Sequence, residues 1–242
     1  MSEVNTTRSG PVGGRWLQLV IGIVCMSMIA NMQYGWTLFV EPINEKHQWG
    51  RAAIQVAFTV FVLTETWLVP IEGWFVDKFG PRIVVLIGGI LCAASWALKS
   101  QAESLTVLYI ASAIGGTGAG AVYGTCVGAA LKWFPDRRGL AAGLTAGFGA
   151  GSAFTIIPVA AMIERSGYEA TFLFFGLLQG GVVVLVSFLL QSPKPGQLPA
   201  SASKLVRQSR RDYQPGQMVK APVFWVMYLM FVLVAAGGLM AT

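Results

Sequence analysis

The chain has 242 residues, 55% of them hydrophobic and only 12% charged, with a formal net charge of +6. A soluble domain carries about 25% charged residues, and a fold of this size has no interior large enough for so much apolar surface, so a soluble globular protein is excluded. The charge is parcelled into short segments between apolar blocks, which points to membrane topology and not to a nucleic-acid-binding face.

Seven apolar blocks follow in chain order, at 16–40, 52–75, 82–99, 105–131, 138–163, 168–191 and 222–242. Each is close to the ~20 residues that cross ~30 Å of hydrocarbon as a helix. All are predicted helical, because a lone lipid-facing strand leaves its backbone groups unpaired, and the short alternating segments of an outer-membrane barrel are missing. The first block lacks a small-x-small cleavage site and is followed by further spans, so it is read as retained. The expected fold class is all-α and integral to the membrane. It comprises a tail at 1–14, a six-helix bundle at 15–191, a basic linker at 192–221 and a seventh helix at 222–242 that starts a second bundle. The seventh block ends at Thr242 without a charged flank, which suggests a longer protein.

Basic residues set the expected orientation. Thirteen of the seventeen Lys and Arg fall on one side: in the tail, after the second block, after the fourth and in the 192–221 segment. Only Lys46, Arg51, Lys99 and Arg165 fall on the other. The positive-inside rule places the rich side, and with it the amino terminus, in the cytoplasm, which implies an inner (plasma) membrane. The linker, with Pro193, Pro195, Pro199 and Pro215, reads as a connector or as a polybasic lipid-binding patch.

The fourth block carries Gly116, Gly120, Gly124 and Gly128 at four-residue spacing, and the fifth carries Gly139, Gly143, Gly147 and Gly151. Residues four apart share a helix face, so each ladder is a groove for a second backbone. It serves either fixed packing or a sliding contact. The Gly116–Gly120 stretch lacks the preceding strand and the spacing of a nucleotide loop. A faint internal repeat relates Asp77-Lys78-Phe79-Gly80 to Glu164-Arg165-Ser166-Gly167, and Tyr34-Gly35 to Tyr123-Gly124. Blocks one to three and four to six are then expected to be inverted repeats.

Cys25, Cys92 and Cys126 lie inside apolar blocks and read as packing residues. The single histidine, His47, is predicted to be solvated in an outer segment beside Glu45 and Lys46. No catalytic constellation, cofactor motif or metal cluster is legible, so neither an enzyme nor a bound cofactor or metal is expected. Glu65 is the costliest residue, since a carboxylate at a helix centre costs about 2.5–3.5 kcal/mol on insertion scales. It is read as a proton-coupling or gating acid, or else as a hydrogen-bonded structural one. Glu72 is expected to support the loop that follows it.

That loop reads Gly73-Trp74-Phe75-Val76-Asp77-Lys78-Phe79-Gly80-Pro81-Arg82. It resembles the signature loop of the major facilitator superfamily at Gly73, Asp77, Lys78, Gly80 and Arg82, with proline at 81 in place of a base. A carboxylate at a helix end can accept hydrogen bonds from neighbouring helix termini and latch one conformation; a merely topogenic charge cluster is the alternative. Three further stretches, Met32 to Phe39, Ala121 to Gly124 and Lys132 to Ala141, resemble the oxalate:formate antiporter family, relatives of the monocarboxylate transporters.

The resemblance covers about 15–242 and implies the first half of a twelve-helix carrier of small organic anions. It implies that Gln33, Tyr34, Trp36, Tyr123 and Phe148 line a central cavity, each with a packing role as the alternative. Phe148 stands where that family has a tyrosine, and Glu65 where it has a neutral glutamine. An anionic substrate needs cations at mid-membrane, and no Lys or Arg is expected inside the first six spans. The partners expected are therefore a small carboxylate, the lipid bilayer, and a missing carboxy-terminal six-helix half or a second copy, with no nucleic acid. A non-transporting membrane subunit or dimerising fragment is the other reading of so incomplete a carrier.

Overall fold

The computed structural model describes residues 13–147, 149–193 and 215–240. Its regular structure is helical throughout: α1 (Gly13–Tyr34), α2 (Thr37–His47), α3 (Arg51–Trp67), α4 (Val69–Phe79), α5 (Pro81–Ser100), α6 (Leu105–Trp133), α7 (Arg138–Ala146), α8 (Gly149–Ser187), α9 (Pro215–Met218) and α10 (Pro222–Met240). The chain divides into two compact units, Met1–Ala202 and Ser203–Thr242. The tail predicted at 1–14 and most of the 192–221 linker lie outside the described residues.

Among the described residues, four stretches are long and apolar enough to cross a membrane: Gly14–Tyr34, Pro81–Ser100, Leu105–Trp133 and Arg138–Ser187. The pair α3 and α4, bent by 48°, makes a fifth if taken as one span. The cause of that bend is Pro70, which has no N–H to donate and whose ring crowds the carbonyl four residues earlier. The first apolar block is likewise split. Helix α1 ends at Tyr34 and α2 continues to His47, past the last apolar residues of the block, until Gln48 turns left-handed at φ 56°. Blocks five and six join into one helical run, interrupted by the non-helical backbone of Gly167. In the second unit α10 carries the apolar stretch Pro222–Val234.

In the first unit α6 packs against α1, α3, α4, α5 and α7, and α8 lies against α1, α2 and α5. Close approach explains this order. A Cβ at Gly88 of α5 would sit 2.9 Å from the carbonyl oxygen of Gly118 in α6, and one at Gly118 would sit 2.8 Å from that of Gly88. Only a helix pair bare of side chains at the crossing can meet this tightly, and in lipid such packing drives association. Trp96 fills the corresponding place between α5 and α8, over Gly176. Around it Phe39 stacks on Phe172 at 4.0 Å between ring centroids, with Trp96 edge-on to both.

Polar contacts mark the two ends of the bundle. At one, Arg15 donates to both carboxylate oxygens of Asp136 at 3.2 Å and lies 4.9 Å from the ring centroid of Phe134. Beside it Gln18 donates to the carbonyl of Leu189 and accepts from the backbone N–H of Gln191, tying α1 to the end of α8. At the other end Lys46 pairs with Glu169, Arg51 with Glu41 at 2.7 Å, and His47 bonds the Tyr168 hydroxyl at 2.9 Å while stacking on Trp49. The expected solvated histidine is thus a packed, partnered one. Its neighbours in sequence are polar, but the α2–α8 contact covers it.

Candidate functional site

Three helices contribute titratable groups that lie near enough to interact electrostatically. Tyr34 ends α1, Glu65 lies in the last turn of α3 before the Pro70 bend, and Tyr123 comes from the middle of α6. Glu65 acts electrostatically on both phenols, and Tyr34 acts on Tyr123. Tyr34 is 37% exposed and Tyr123 half-buried, packed against the apolar core. Gln33 is half-buried one residue before Tyr34. The structure brings together Tyr34, Glu65 and Tyr123; Phe148 lies outside the described residues.

Trp36 is 3% exposed in the main apolar core, and its indole N–H donates to Gln55 Oε1 at 2.9 Å. Over its ring, 4.8 Å from the centroid, lies the ammonium group of Lys99, which is also 5.8 Å from the ring centroid of Phe61. Lys99 is 4% exposed. The sequence places it near the end of an apolar block, where it reads as a loop charge. The long stem of lysine instead folds back along the bundle, and the two rings receive the cation. The expectation that the first six spans hold no buried base therefore fails at Lys99. The available signal was its position inside the last helical turn, with Trp96 one turn earlier.

The signature loop occupies the end of the bundle that carries Arg15 and Asp136. Asp77 receives Lys132 of α6 at 3.5 Å with both side chains largely exposed. Lys78 turns back over Trp74 at 4.7 Å. Gly80 adopts φ 83° and ψ 164°, a region open almost only to glycine, and Pro81 then starts α5. Gly73 and Arg82 are exposed. Between α4 and α6 at this end lies a cavity of about 320 Å³ lined by Glu72, Asp77, Thr125 and Lys132, among others.

The glycine ladders divide into contacts and open faces. A Cβ at Gly116 would meet Thr64 Oγ1 and the carbonyl of Phe61, and one at Gly120 would sit 2.7 Å from the carbonyl of Glu65. Gly124 and Gly128 instead border the cavity. In the second ladder Gly151 lies on Ser27 of α1, with 2.6 Å from the added Cβ to that of Ser27, while Gly139 and Gly143 face open space. A Cβ at Gly147 would meet only its own helix, 3.1 Å from the carbonyl of Gly143.

Comparison with known proteins agrees with this architecture. The family model of the Major Facilitator Superfamily matches residues 19–242. The chain is 36% identical to the oxalate:formate antiporter of Oxalobacter formigenes over 99% of its own length and 57% of that protein's. It is 28% identical to monocarboxylate transporter 7 of Homo sapiens over 72% of this chain and 33% of the relative. The same identity holds to monocarboxylate transporter 3 of Rattus norvegicus, over 69% and 35%. The chain thus spans little more than half the length of the relatives it matches, or less. With its signature loop, its apolar helices and this match over nearly its whole length, the chain belongs to the Major Facilitator Superfamily, a family of multi-pass membrane transporters.

Proposed function

We propose that the chain forms the first six-helix bundle of a secondary active transporter for small organic anions, of the oxalate, formate or monocarboxylate kind, working by alternating access. The observation that carries this reading is that Tyr34 of α1, Glu65 of α3 and Tyr123 of α6 lie near enough to interact electrostatically in a chain of this family. Phenols and an acid collected inside an apolar bundle serve hydrogen bonding to a small polar solute. Gln33, Trp36 and Phe148 complete the wall, and Glu65 is the coupling or gating acid. Lys99, beneath Trp36, supplies positive charge to this half of the site, and a second bundle supplies the rest. That bundle is the remainder of a longer chain or a second copy. The resemblance to an oxalate:formate antiporter and to monocarboxylate transporters supports the anion class.

Six crossings are supported by length. As one straight helix the 50 residues of Arg138–Ser187 would reach ~75 Å, more than twice the hydrocarbon thickness, so Gly167 is read as the turn between two spans. Its backbone, φ 82° and ψ 165°, matches that of Gly80, which supports two inverted three-helix repeats. The excess of Lys and Arg at the Arg15 end supports a cytoplasmic amino terminus in an inner (plasma) membrane. There Asp77, Lys78, Gly80 and Arg82 latch the cytoplasmic gate, with Asp77 holding Lys132, and the packed glycines of α6 and α8 hold the bundle together.

The test is uptake of labelled oxalate, formate and lactate into proteoliposomes, with this chain extended through a second six-helix bundle. Transport of at least one carboxylate, reduced tenfold or more by Tyr123→Phe, is expected. Failure to move any of the three overturns the substrate class. Unchanged proton-dependent uptake after Glu65→Gln removes the coupling role.

A further inference from the structure

Glu72 is expected from sequence to do no more than support the loop after α4. In the structure it is 8% exposed, and neither of its carboxylate oxygens has a hydrogen-bond partner. The carboxyl group lies over Gly120 of α6, where an added Cβ would sit 3.0 and 3.1 Å from the two oxygens. Farther along α6 the hydroxyl of Thr125, 2% exposed, is likewise without a partner. Glu72 and Thr125 line the same cavity of about 320 Å³, whose wall reaches Asp77 and Lys132.

An ionised carboxylate stripped of hydrogen bonds and of a counter-ion costs several kcal/mol in such a place. The charged groups around Glu72 do not relieve this. Glu65 of α3 repels it. Asp77 of its own helix is also an acid, and Lys132 of α6 is engaged with Asp77 at 3.5 Å. The α5 residues beside it, Pro81, Val84 and Leu91, carry no charge. The cavity has room for several waters, a path by which protons reach the buried carboxyl group.

We propose that Glu72 is a proton-binding site, loaded from the Asp77–Lys132 end of this cavity and supported by the Thr125 hydroxyl. A proton delivered by cavity water adds to one carboxylate oxygen and neutralises a single negative charge; release returns the same proton to water. Gly120 is what lets the acid lie against α6, since any side chain there would displace it. In the transport cycle, a role that rests on the proposed function above, Glu72 and Glu65 compete for ionisation across the Pro70 bend. Loading one favours the charged form of the other.

Infrared difference spectroscopy of the chain reconstituted in lipid tests binding without any transport assay. A protonated carboxyl group with few hydrogen bonds gives a C=O stretch at the high-frequency edge of its class, apart from solvated acids. The expected result is such a band on acidification, absent from Glu72→Gln, retained in Glu65→Gln and shifted in Thr125→Val. Should Glu72→Gln fail to fold, Glu72→Asp is expected to keep the band at a displaced frequency. A band unaffected at Glu72, no such band at any pH, or a band removed by sodium at fixed pH would each overturn the proposal, the last in favour of a metal-cation site. Because uptake is not the readout, loss of the carrier reading leaves this result standing. In the extended carrier Glu72→Gln is expected to abolish the pH dependence of uptake while anion exchange persists.

Discussion

Gly80 and Gly167 hold one backbone conformation, φ 83° and ψ 164° against φ 82° and ψ 165°, each closing an acid-base-x-glycine sequence at a helix end. Nothing lies within 4 Å of a Cβ placed on Gly80, so space does not explain the glycine there. The backbone alone does, because residues with a Cβ are strained in this region by about 1–3 kcal/mol. Gly80→Ala and Gly167→Ala are expected to lower the thermal midpoint of the detergent-solubilised protein. Gly73→Ala, with ordinary φ inside α4 and open space around it, does not lower that midpoint.

The α6 ladder separates two kinds of glycine. Gly116→Ala drives a methyl group into Thr64 and the carbonyl of Phe61, and overpacking of this type costs about 1–3 kcal/mol. Gly128→Ala meets nothing within 4 Å and gains helix propensity of up to about 1 kcal/mol. Opposite shifts in melting temperature are expected, and equal shifts would show that α3 does not rest on Gly116.

Arg15 and Asp136 are each only 15% exposed in their side chains, and the guanidinium also faces Phe134. Removing Asp136 leaves the Arg15 guanidinium without its carboxylate, and removing Arg15 leaves Asp136 only the more distant Arg137 at 3.9 Å. Arg15→Met and Asp136→Asn are each expected to destabilise by about 1–3 kcal/mol, and the double variant by little more than either alone. Strictly additive losses in such a cycle would mean that the pair is not coupled.

Lys99 offers a sharper separation of stability from activity. Lys99→Met keeps the stem packed against Trp36 and Phe61, and an apolar isostere in a buried position is often neutral or stabilising. Thermal stability is expected to hold or rise while uptake by the extended carrier falls tenfold or more. Lys99→Arg, which keeps both the charge and the ring contacts, is expected to retain part of the uptake. Equal activity in Lys99→Met would assign Lys99 to packing alone.

Much of the helical layout was legible in the linear pattern. The blocks at 82–99 and 105–131 correspond to α5 and α6 within a few residues, because a run of apolar residues with charge only at its ends has one low-energy form in lipid. Helix boundaries at polar flanks were less so. Helix α2 runs on to His47 through Glu41, Glu45 and Lys46, since a formed helix continues outside the hydrocarbon at little cost. That Tyr34 lies near enough to act on Tyr123 is not legible from spacing, as 89 positions separate them.

The sequence by itself determined that this protein lives in a membrane, that it is helical and which superfamily its signature loop marks. Those properties are local, set by runs of apolar residues and by a short motif. Tertiary structure alone decided where three charges reside. Lys99 lies against the rings of Trp36 and Phe61, Glu65 lies near enough to Tyr34 and Tyr123 to act on both, and Glu72 lies unpartnered over Gly120. A side chain several ångströms long can turn outward to solvent or inward along a neighbouring helix. The choice depends on which helix packs beside it, which no single stretch of the chain encodes.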